Sequence, residues 1–264
     1  MRRARVVRRA LALATIGLCA WLPNATAAPA VHLHATLTPE RLGQGTTIGF
    51  SFQITTPTGQ PPPPLTAVDV QYPVNLAFAL SELGLARCTA IALELFGVPG
   101  CPPNSLMGYG NATAEIPFGP QTVTETAQVT LVRTTDQGDH IGLLVYAEAN
   151  TPASTEIVIP ALVLAAPPPY GGGLNMRVPL LESLPGAPDV SIVHLRATLG
   201  PQHLHYYEYA HGKRIKFQPK GVPLPTACPH GGFQFAAQLT FLDGNISTAH
   251  TAVPCPKTDG GRRR

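Results

Sequence analysis

The chain has 264 residues, of which 44% are hydrophobic and 12% are charged, and its formal net charge is +3. Its 29 prolines exclude a fold of long helices, because each internal proline removes a backbone hydrogen bond and clashes with the preceding turn. A nucleic-acid-binding protein is expected to carry a basic patch, and the sequence shows none, so nucleic acid is excluded as a partner.

Residues 1–27 are predicted to be a secretory signal peptide. Five arginines precede an apolar run at 10–22, and Ala25-Thr26-Ala27 provides the small residues that a signal peptidase requires. We expect cleavage near Ala27 or Ala28 and a secreted, extracellular protein. The apolar run at 10–22 is shorter than the ~20 residues of a bilayer span. No transmembrane segment is expected after cleavage, because the best remaining apolar run, 157–166, is also short and is interrupted by Pro160. An Arg8-Arg9 pair keeps twin-arginine export as the alternative to the Sec route.

Cleavage would reverse the sign of the net charge. Five of the 18 basic residues lie in the leader, so 13 basic and 15 acidic residues remain, a net charge of −2. The mature chain is predicted to be one β-sandwich domain at 28–256, followed by a disordered basic tail at 257–264.

Alternating polarity predicts strands along most of this domain. From Val31 to Thr38, apolar residues alternate with His32, His34 and two threonines, which is the pattern of a half-buried strand. A second alternating segment covers 47–56. Further strands are predicted at 68–74, 122–133, 141–149, 156–164, 174–181, 190–199, 203–209, 214–219, 233–242 and 247–253. About a dozen short strands favour an all-β fold, either a β-sandwich or a jelly roll.

Two segments interrupt the alternation. Residues 81–110 contain a helical apolar rhythm near 82–97, and Gly84 and Gly97 restrict the helix to about 90–96. A Pro-rich turn at 100–105 then returns the chain to the sheet, where Gly108 and Gly110 would let another backbone come close. The Pro- and Gly-rich residues 167–173 are a possible boundary between two sub-domains.

Four cysteines follow the leader, and an even number in an oxidising compartment predicts two disulfides. Four cysteines allow three pairings, and proximity in the sequence favours Cys88–Cys101 and Cys228–Cys255. Each loop closure would contribute roughly 3 kcal/mol in the chain-entropy model. A zinc site is the alternative, but neither pair has the C-x2-C spacing that is typical of one.

Two His-x-His pairs are the candidate metal ligands. Residues i and i+2 of a strand share a face, so His32 with His34 and His203 with His205 could each present two imidazoles. If the two strands adjoin, the four side chains could bind zinc or copper. The alternative is that these histidines are exposed residues on the polar faces of their strands.

No catalytic motif is apparent. The chain lacks a G-x-S-x-G elbow, and Ser105 lies in a Pro-flanked turn. Glu148 and Glu156 could act as an acid and a base, but nothing in the sequence links them. We therefore expect a non-catalytic extracellular or cell-envelope protein that binds an unidentified ligand or has a structural role. A metal-binding protein and a hydrolase without a known motif are the alternatives.

Two cysteine-containing segments resemble a known group. The first contains Cys88 and the run C-P-P-N-S-L-M-G from Cys101 to Gly108. The second contains C-P-H-G-G-F from Cys228 to Phe233 and ends at Pro254-Cys255-Pro256. Both resemble segments of secreted proteins of high-GC Gram-positive bacteria. The resemblance covers most of the mature chain and rests on structural motifs. It implies export and a β-rich, disulfide-bonded fold, and it implies no activity.

Overall fold

The computed structural model describes residues 28–76, 78–118, 121–150, 154–181 and 189–256. The predicted leader at 1–27 and the predicted tail at 257–264 lie outside the described residues. The strands of the first half are β1 (Ala30–Thr38), β2 (Gly45–Thr55), β3 (Leu65–Pro73), β4 (Leu106–Phe118), β5 (Gln121–Arg133) and β6 (Ile141–Ala149). Those of the second half are β7 (Thr155–Leu164), β8 (Tyr170–Arg177), β9 (Ser191–Leu199), β10 (Tyr206–Ala210), β11 (Lys213–Phe217), β12 (Val222–Pro223), β13 (Phe233–Phe241) and β14 (Ile246–Val253).

Within the described ranges, helical structure is confined to short segments between β3 and β4. One α-helix, α1, spans Ala90–Phe96, as predicted. Short 3-10 helices span Phe78–Leu80, Val98–Gly100 and Pro103–Ser105.

Eleven strands form one continuous antiparallel sheet in the order β1-β2-β9-β4-β5-β6-β7-β8-β3-β13-β14, and β12 pairs with β2. The sheet is nearly closed, because its two edge strands approach each other. The hydroxyl of Ser247 in β14 donates to the carbonyl of Pro29, beside β1, at 2.5 Å. The predicted all-β class is confirmed. The strands form one curved sheet, whereas a sandwich has two facing sheets. The sequence could not predict this difference, because alternation shows which side of a strand is buried but not which strands pair.

The core lies inside the curve of this sheet. The inward-facing residues Phe233, Phe235, Leu239 and Phe241 of β13 are at most 2% exposed. Full burial of such a side chain stabilises the folded chain by about 1.5–3 kcal/mol. Strand β13 pairs with β3 and β14, so this apolar row closes one wall of the interior.

Strand β4 contains two glycines that bring it close to β9. A Cβ at Gly108 would lie 1.9 Å from the carbonyl oxygen of Thr198, and one at Gly110 would lie 2.1 Å from that of Arg196. The predicted close backbone approach is confirmed. The sequence predicts a return to the sheet here, but not a strand of 13 residues.

Helix α1 lies on the outer surface of the sheet. Thr89 caps it by accepting a hydrogen bond from the Ala92 N–H at 3.2 Å, and the Gly97 N–H donates to the Leu93 carbonyl at 2.8 Å. The fully buried Leu93 packs with the outward-facing Val132, Leu144 and Tyr146. Disulfide Cys88–Cys101 joins the two ends of the segment that contains the helix.

The second disulfide, Cys228–Cys255, joins the entrance of β13 to the exit of β14. Both bonds have the pairing that sequence proximity predicts. Residues 167–173 connect β7 to β8, which are neighbours in the same sheet, and Gly171, Gly172 and Gly173 belong to β8.

Candidate ligand-binding site

An apolar cavity of about 120 Å³ lies inside the curve of the sheet. Eight strands contribute to its wall, and all but two of its 18 lining residues have purely apolar side chains. Representative lining residues are Ile48, Phe50, Val129, Leu131, Val145 and Met176. Alternation in the sequence predicts that Ile48 and Phe50 face inward. It does not predict that space remains between them and the opposite wall.

Tyr72 and Thr198 are the two lining residues with a hydroxyl group. The ring of Tyr72 packs edge-on against Phe78, with 4.6 Å between ring centroids. A Cβ at Gly172 would lie 2.1 Å from the Tyr72 hydroxyl oxygen, so Gly172 leaves the room that this tyrosine needs. Burial raises the pKa of Tyr72 to about 12. The tyrosine is therefore neutral at physiological pH, and the cavity wall carries no charge.

A cavity of this kind suits a small apolar molecule. Cavities with apolar linings remain empty of water, because a water molecule needs two to four polar partners. An apolar cavity of ~150 Å³ in another protein is large enough for benzene or xenon. Here the volume is slightly smaller and the lining has the same chemistry. The site can recognise shape and apolar surface, and it has no group positioned for acid–base chemistry.

The four predicted metal ligands are not assembled into one site. His32 and His34 are exposed on the outer face of β1, beside Thr36 and Thr38. His203 and His205 precede β10 and are also exposed. Among the described residues, no group of three or more histidine, cysteine, aspartate or glutamate side chains could hold a metal ion.

The strand predicted to begin at residue 203 begins at Tyr206. His203 lies in a turn and has a φ of 64°, a conformation that strands do not adopt. This position corrects the prediction that His203 and His205 share one strand face, since only residues within a strand alternate between its two faces.

The structure does bring together the two carboxylates that the sequence leaves unconnected. Glu148 in β6 lies directly opposite Glu156 in β7. In β6, Leu143 and Val145 point into the cavity, and Glu148 lies an odd number of residues away from both. Glu148 and its partner Glu156 therefore lie on the outer face of the sheet. Like charges opposite each other destabilise a strand pair. Tyr146 lies near these two carboxylates, and its pKa is raised to about 12. The larger cause is burial, and the smaller is a hydrogen bond with Glu156.

Ser105 has a structural role. Its side chain is fully buried, and its hydroxyl donates to the Pro102 carbonyl at 2.6 Å. The hydrogen bond closes the Pro-rich turn before β4, and the predicted turn is confirmed.

A groove of about 240 Å³ with polar residues at its centre crosses the outer face of β8, β3, β13 and β14. Asp69 lies at its centre, with Asn175 and Gln238 as its partners on the two neighbouring strands. The Asn175 amide donates to the Asp69 carboxylate. At one side, the Tyr170 hydroxyl lies 3.1 Å from His250 Nδ1. Because its central carboxylate already accepts a hydrogen bond from Asn175, the groove makes a weaker case for a ligand than the cavity.

No protein-family model, curated protein or solved structure matches this chain. In the ranges that the structure describes, no helix combines the length and the apolar character needed to cross a bilayer.

Proposed function

We propose that this chain is an exported binding protein that holds a small apolar molecule inside its nearly closed sheet. The observation that carries the proposal is the cavity of about 120 Å³ with its uncharged, almost entirely apolar wall. Several lining residues, among them Phe50, Leu174 and Ala197, are only half-buried, so the cavity is open on one side. Their apolar side chains lack the contacts of a close-packed interior, which has a cost in stability. A ligand that fills it would restore those contacts.

The disulfides and the predicted leader support action outside the cell. Two disulfides persist in an oxidising compartment, and both lie at the periphery of the sheet, where they leave the interior unobstructed. The closed arrangement of strands gives the cavity a rigid wall. Rigidity favours binding, because the protein does not have to be ordered when the ligand enters.

Benzene is the appropriate first probe, because its size matches the cavity and it makes no polar contacts. Thermal unfolding of the disulfide-bonded protein should shift to higher temperature as benzene is added. A ligand that binds only the folded state adds about 1.4 kcal/mol to the free energy of unfolding at ten times its Kd. An unchanged Tm at saturating benzene would overturn the proposal.

A variant that fills the cavity provides the decisive comparison. Ala197 lines the cavity, and Ala197→Leu would place three additional carbon atoms in it. Helix residue Ala92 lies on the outer surface, so Ala92→Leu adds the same atoms outside the cavity. We expect Ala197→Leu to abolish the benzene-dependent increase in Tm and Ala92→Leu to retain it. Equal responses of the two variants would show that benzene binds elsewhere.

A further inference from the structure

The hairpin β10–β11 is separate from the cavity and shares no lining residue with it. These two strands form a two-stranded sheet of their own, outside the eleven-stranded order. Residues His211 and Gly212 connect them, with φ angles of 52° and 74°. Two successive residues with positive φ are typical of the type I′ turn of a tight hairpin.

The base of the hairpin is fixed to the protein. The Tyr206 side chain is fully buried and packs edge-on against Phe217, with 5.8 Å between ring centroids. Its hydroxyl donates to the Leu106 carbonyl and accepts a hydrogen bond from the Gly84 N–H. The outer part of the hairpin is therefore held on a rigid base and is exposed.

One face of the hairpin combines aromatic rings with cations. Tyr207 lies opposite Lys216, and Tyr209 lies opposite Arg214, so all four side chains share a face. The guanidinium carbon of Arg214 lies 3.5 Å from the centre of the Tyr207 ring. Tyr209 is 80% exposed, and both cations are exposed as well. We call these four residues the tyrosine–cation face.

The positive charge of the hairpin contrasts with the rest of the protein. The described residues include nine arginines and lysines and 13 aspartates and glutamates, so their net charge is −4. Three of the nine cations, Lys213, Arg214 and Lys216, lie in β11 and form a small basic patch that was not predicted from the sequence. The hairpin contains one acidic residue, Glu208, which lies on the opposite face. A concentration of cations on an otherwise acidic protein is complementary to an anionic surface.

We propose that the hairpin β10–β11 docks this protein on an anionic lipid bilayer. Tyrosine is favoured at the boundary between lipid and water, where its ring contacts acyl chains and its hydroxyl remains hydrated. Lysine and arginine near the bilayer are attracted to anionic headgroups, and each increases the affinity about fivefold. The side chain of Ile215, on the opposite face, adds exposed apolar surface close to the turn.

A soluble anionic polysaccharide, such as dextran sulfate, would also be attracted by the three cations. It has no apolar layer, however, and it would gain little from the exposed ring of Tyr209 and the exposed side chain of Ile215. The combination of apolar and cationic groups on one small projection therefore favours a bilayer.

Vesicle sedimentation with the disulfide-bonded protein that lacks the predicted leader at 1–27 tests this proposal, since the arginines and the apolar run of the leader would bind anionic vesicles by themselves. Phosphatidylcholine vesicles with phosphatidylglycerol should bind the protein, and vesicles of phosphatidylcholine alone should bind it much more weakly. Arg214→Gln combined with Lys216→Gln should weaken binding about 25-fold, since two cations are lost. Tyr209→Ser should also weaken it, and binding to dextran sulfate should be unaffected by that change.

Two controls distinguish an effect of the hairpin cations from an effect of the net charge of the whole protein. Arg177→Gln with Arg196→Gln removes two exposed cations from other strands, and this variant should bind like the wild type. Replacing Lys257 and Arg262, Arg263 and Arg264 by glutamine tests the cationic end of the sequence. The Tm of each variant shows whether it is folded.

Three results would overturn the proposal. The first is the absence of binding to anionic vesicles. The second is an equal loss of binding in the hairpin pair and in the Arg177/Arg196 pair. The third is binding that disappears with the C-terminal cations and persists in the hairpin variants. Loss of benzene binding would leave this proposal intact, because the cavity and the tyrosine–cation face share no residue.

Discussion

The side-chain amide of Asn104 makes two hydrogen bonds to the backbone of Tyr207. Its Nδ2 donates to the Tyr207 carbonyl at 2.8 Å, and its Oδ1 accepts from the Tyr207 N–H at 2.8 Å. Asn104 lies in the Pro-rich turn that follows Cys101. This Pro-rich turn, which follows the first disulfide and is closed by the hydrogen bond of Ser105, therefore holds β10 in place and orients the tyrosine–cation face.

We expect Asn104→Ala to destabilise the chain by about 2 kcal/mol, because each net hydrogen bond contributes about 1 kcal/mol. Asn104→Asp retains an acceptor for the Tyr207 N–H but places a carboxylate oxygen against the Tyr207 carbonyl oxygen, so at neutral pH it should destabilise the chain at least as much as Asn104→Ala. Chemical denaturation of the oxidised protein measures both. Identical unfolding midpoints for Asn104→Ala and the wild type would contradict a role for this residue in holding the hairpin.

The close approach of β4 to β9 gives a second prediction. At Gly110, a methyl group would collide with the Arg196 carbonyl, a backbone atom that cannot turn aside as a side chain can. Gly110→Ala should therefore destabilise the protein by at least the ~1–3 kcal/mol of an overpacked core.

The adjacent Asn111 is exposed, and Asn111→Ala should change stability by no more than about 0.5 kcal/mol. Urea denaturation of both variants tests the difference. Equal effects at the two positions would show that β4 can move away from β9 at no cost.

Local patterns account for much of what can be predicted from this sequence. Alternation identifies Phe50 as inward-facing and His32 as outward-facing, and short separation predicts both disulfide pairs. Each of these conclusions depends on residues close together in the chain. Pairing between distant strands leaves no such pattern, so the position of β9 between β2 and β4 could not be predicted.

The candidate site depends on this distant pairing. The cavity is a volume left between side chains of eight strands, and no single segment of sequence encodes it. The opposition of Glu148 and Glu156 likewise depends on the register of β6 and β7. The position of His203 could not be predicted either, because a positive φ outside glycine has no strong sequence signal.

Metal analysis tests the alternative based on the histidine pairs. Because no three potential ligands are close together in the described part of the chain, we expect no stoichiometric zinc or copper in the purified, oxidised protein. Elemental analysis and an intact mass on the same sample would check this. A stoichiometric metal that is lost in His203→Ala/His205→Ala and retained in His140→Ala would establish a metal site instead.

The last prediction concerns pH and the carboxylate of Asp136. Arg133 Nη2 donates to Asp136 Oδ1 at 2.6 Å, and Arg87 Nη2 lies 3.3 Å from Oδ2. Burial alone would raise the pKa of Asp136. The hydrogen bonds from the Gly142 N–H and Arg133, together with the charges of both arginines, outweigh burial and lower that pKa below its ordinary value.

The lowered pKa determines the direction of the pH effect. A carboxylate with a lowered pKa in the folded state contributes stability above its unfolded pKa of about 3.9, and that contribution is lost as the pH falls through the folded value. Asp136→Asn removes the negative charge at every pH. The wild type should therefore be more stable than Asp136→Asn at neutral pH, and the difference should shrink in acid.

Asp139 lies in the same turn and makes none of these contacts, so Asp139→Asn is the matched control. Unfolding free energies measured from neutral pH to pH values below the unfolded pKa should converge for the wild type and Asp136→Asn. The difference between the wild type and Asp139→Asn should change less. The difference in unfolding free energy between the wild type and Asp136→Asn could instead stay constant down to acidic pH. That result would mean that the substitution removes only hydrogen bonds and no charge interaction. The two arginines would then contribute no charge-dependent stability, although Arg87 links the loop before Cys88 to the turn between β5 and β6.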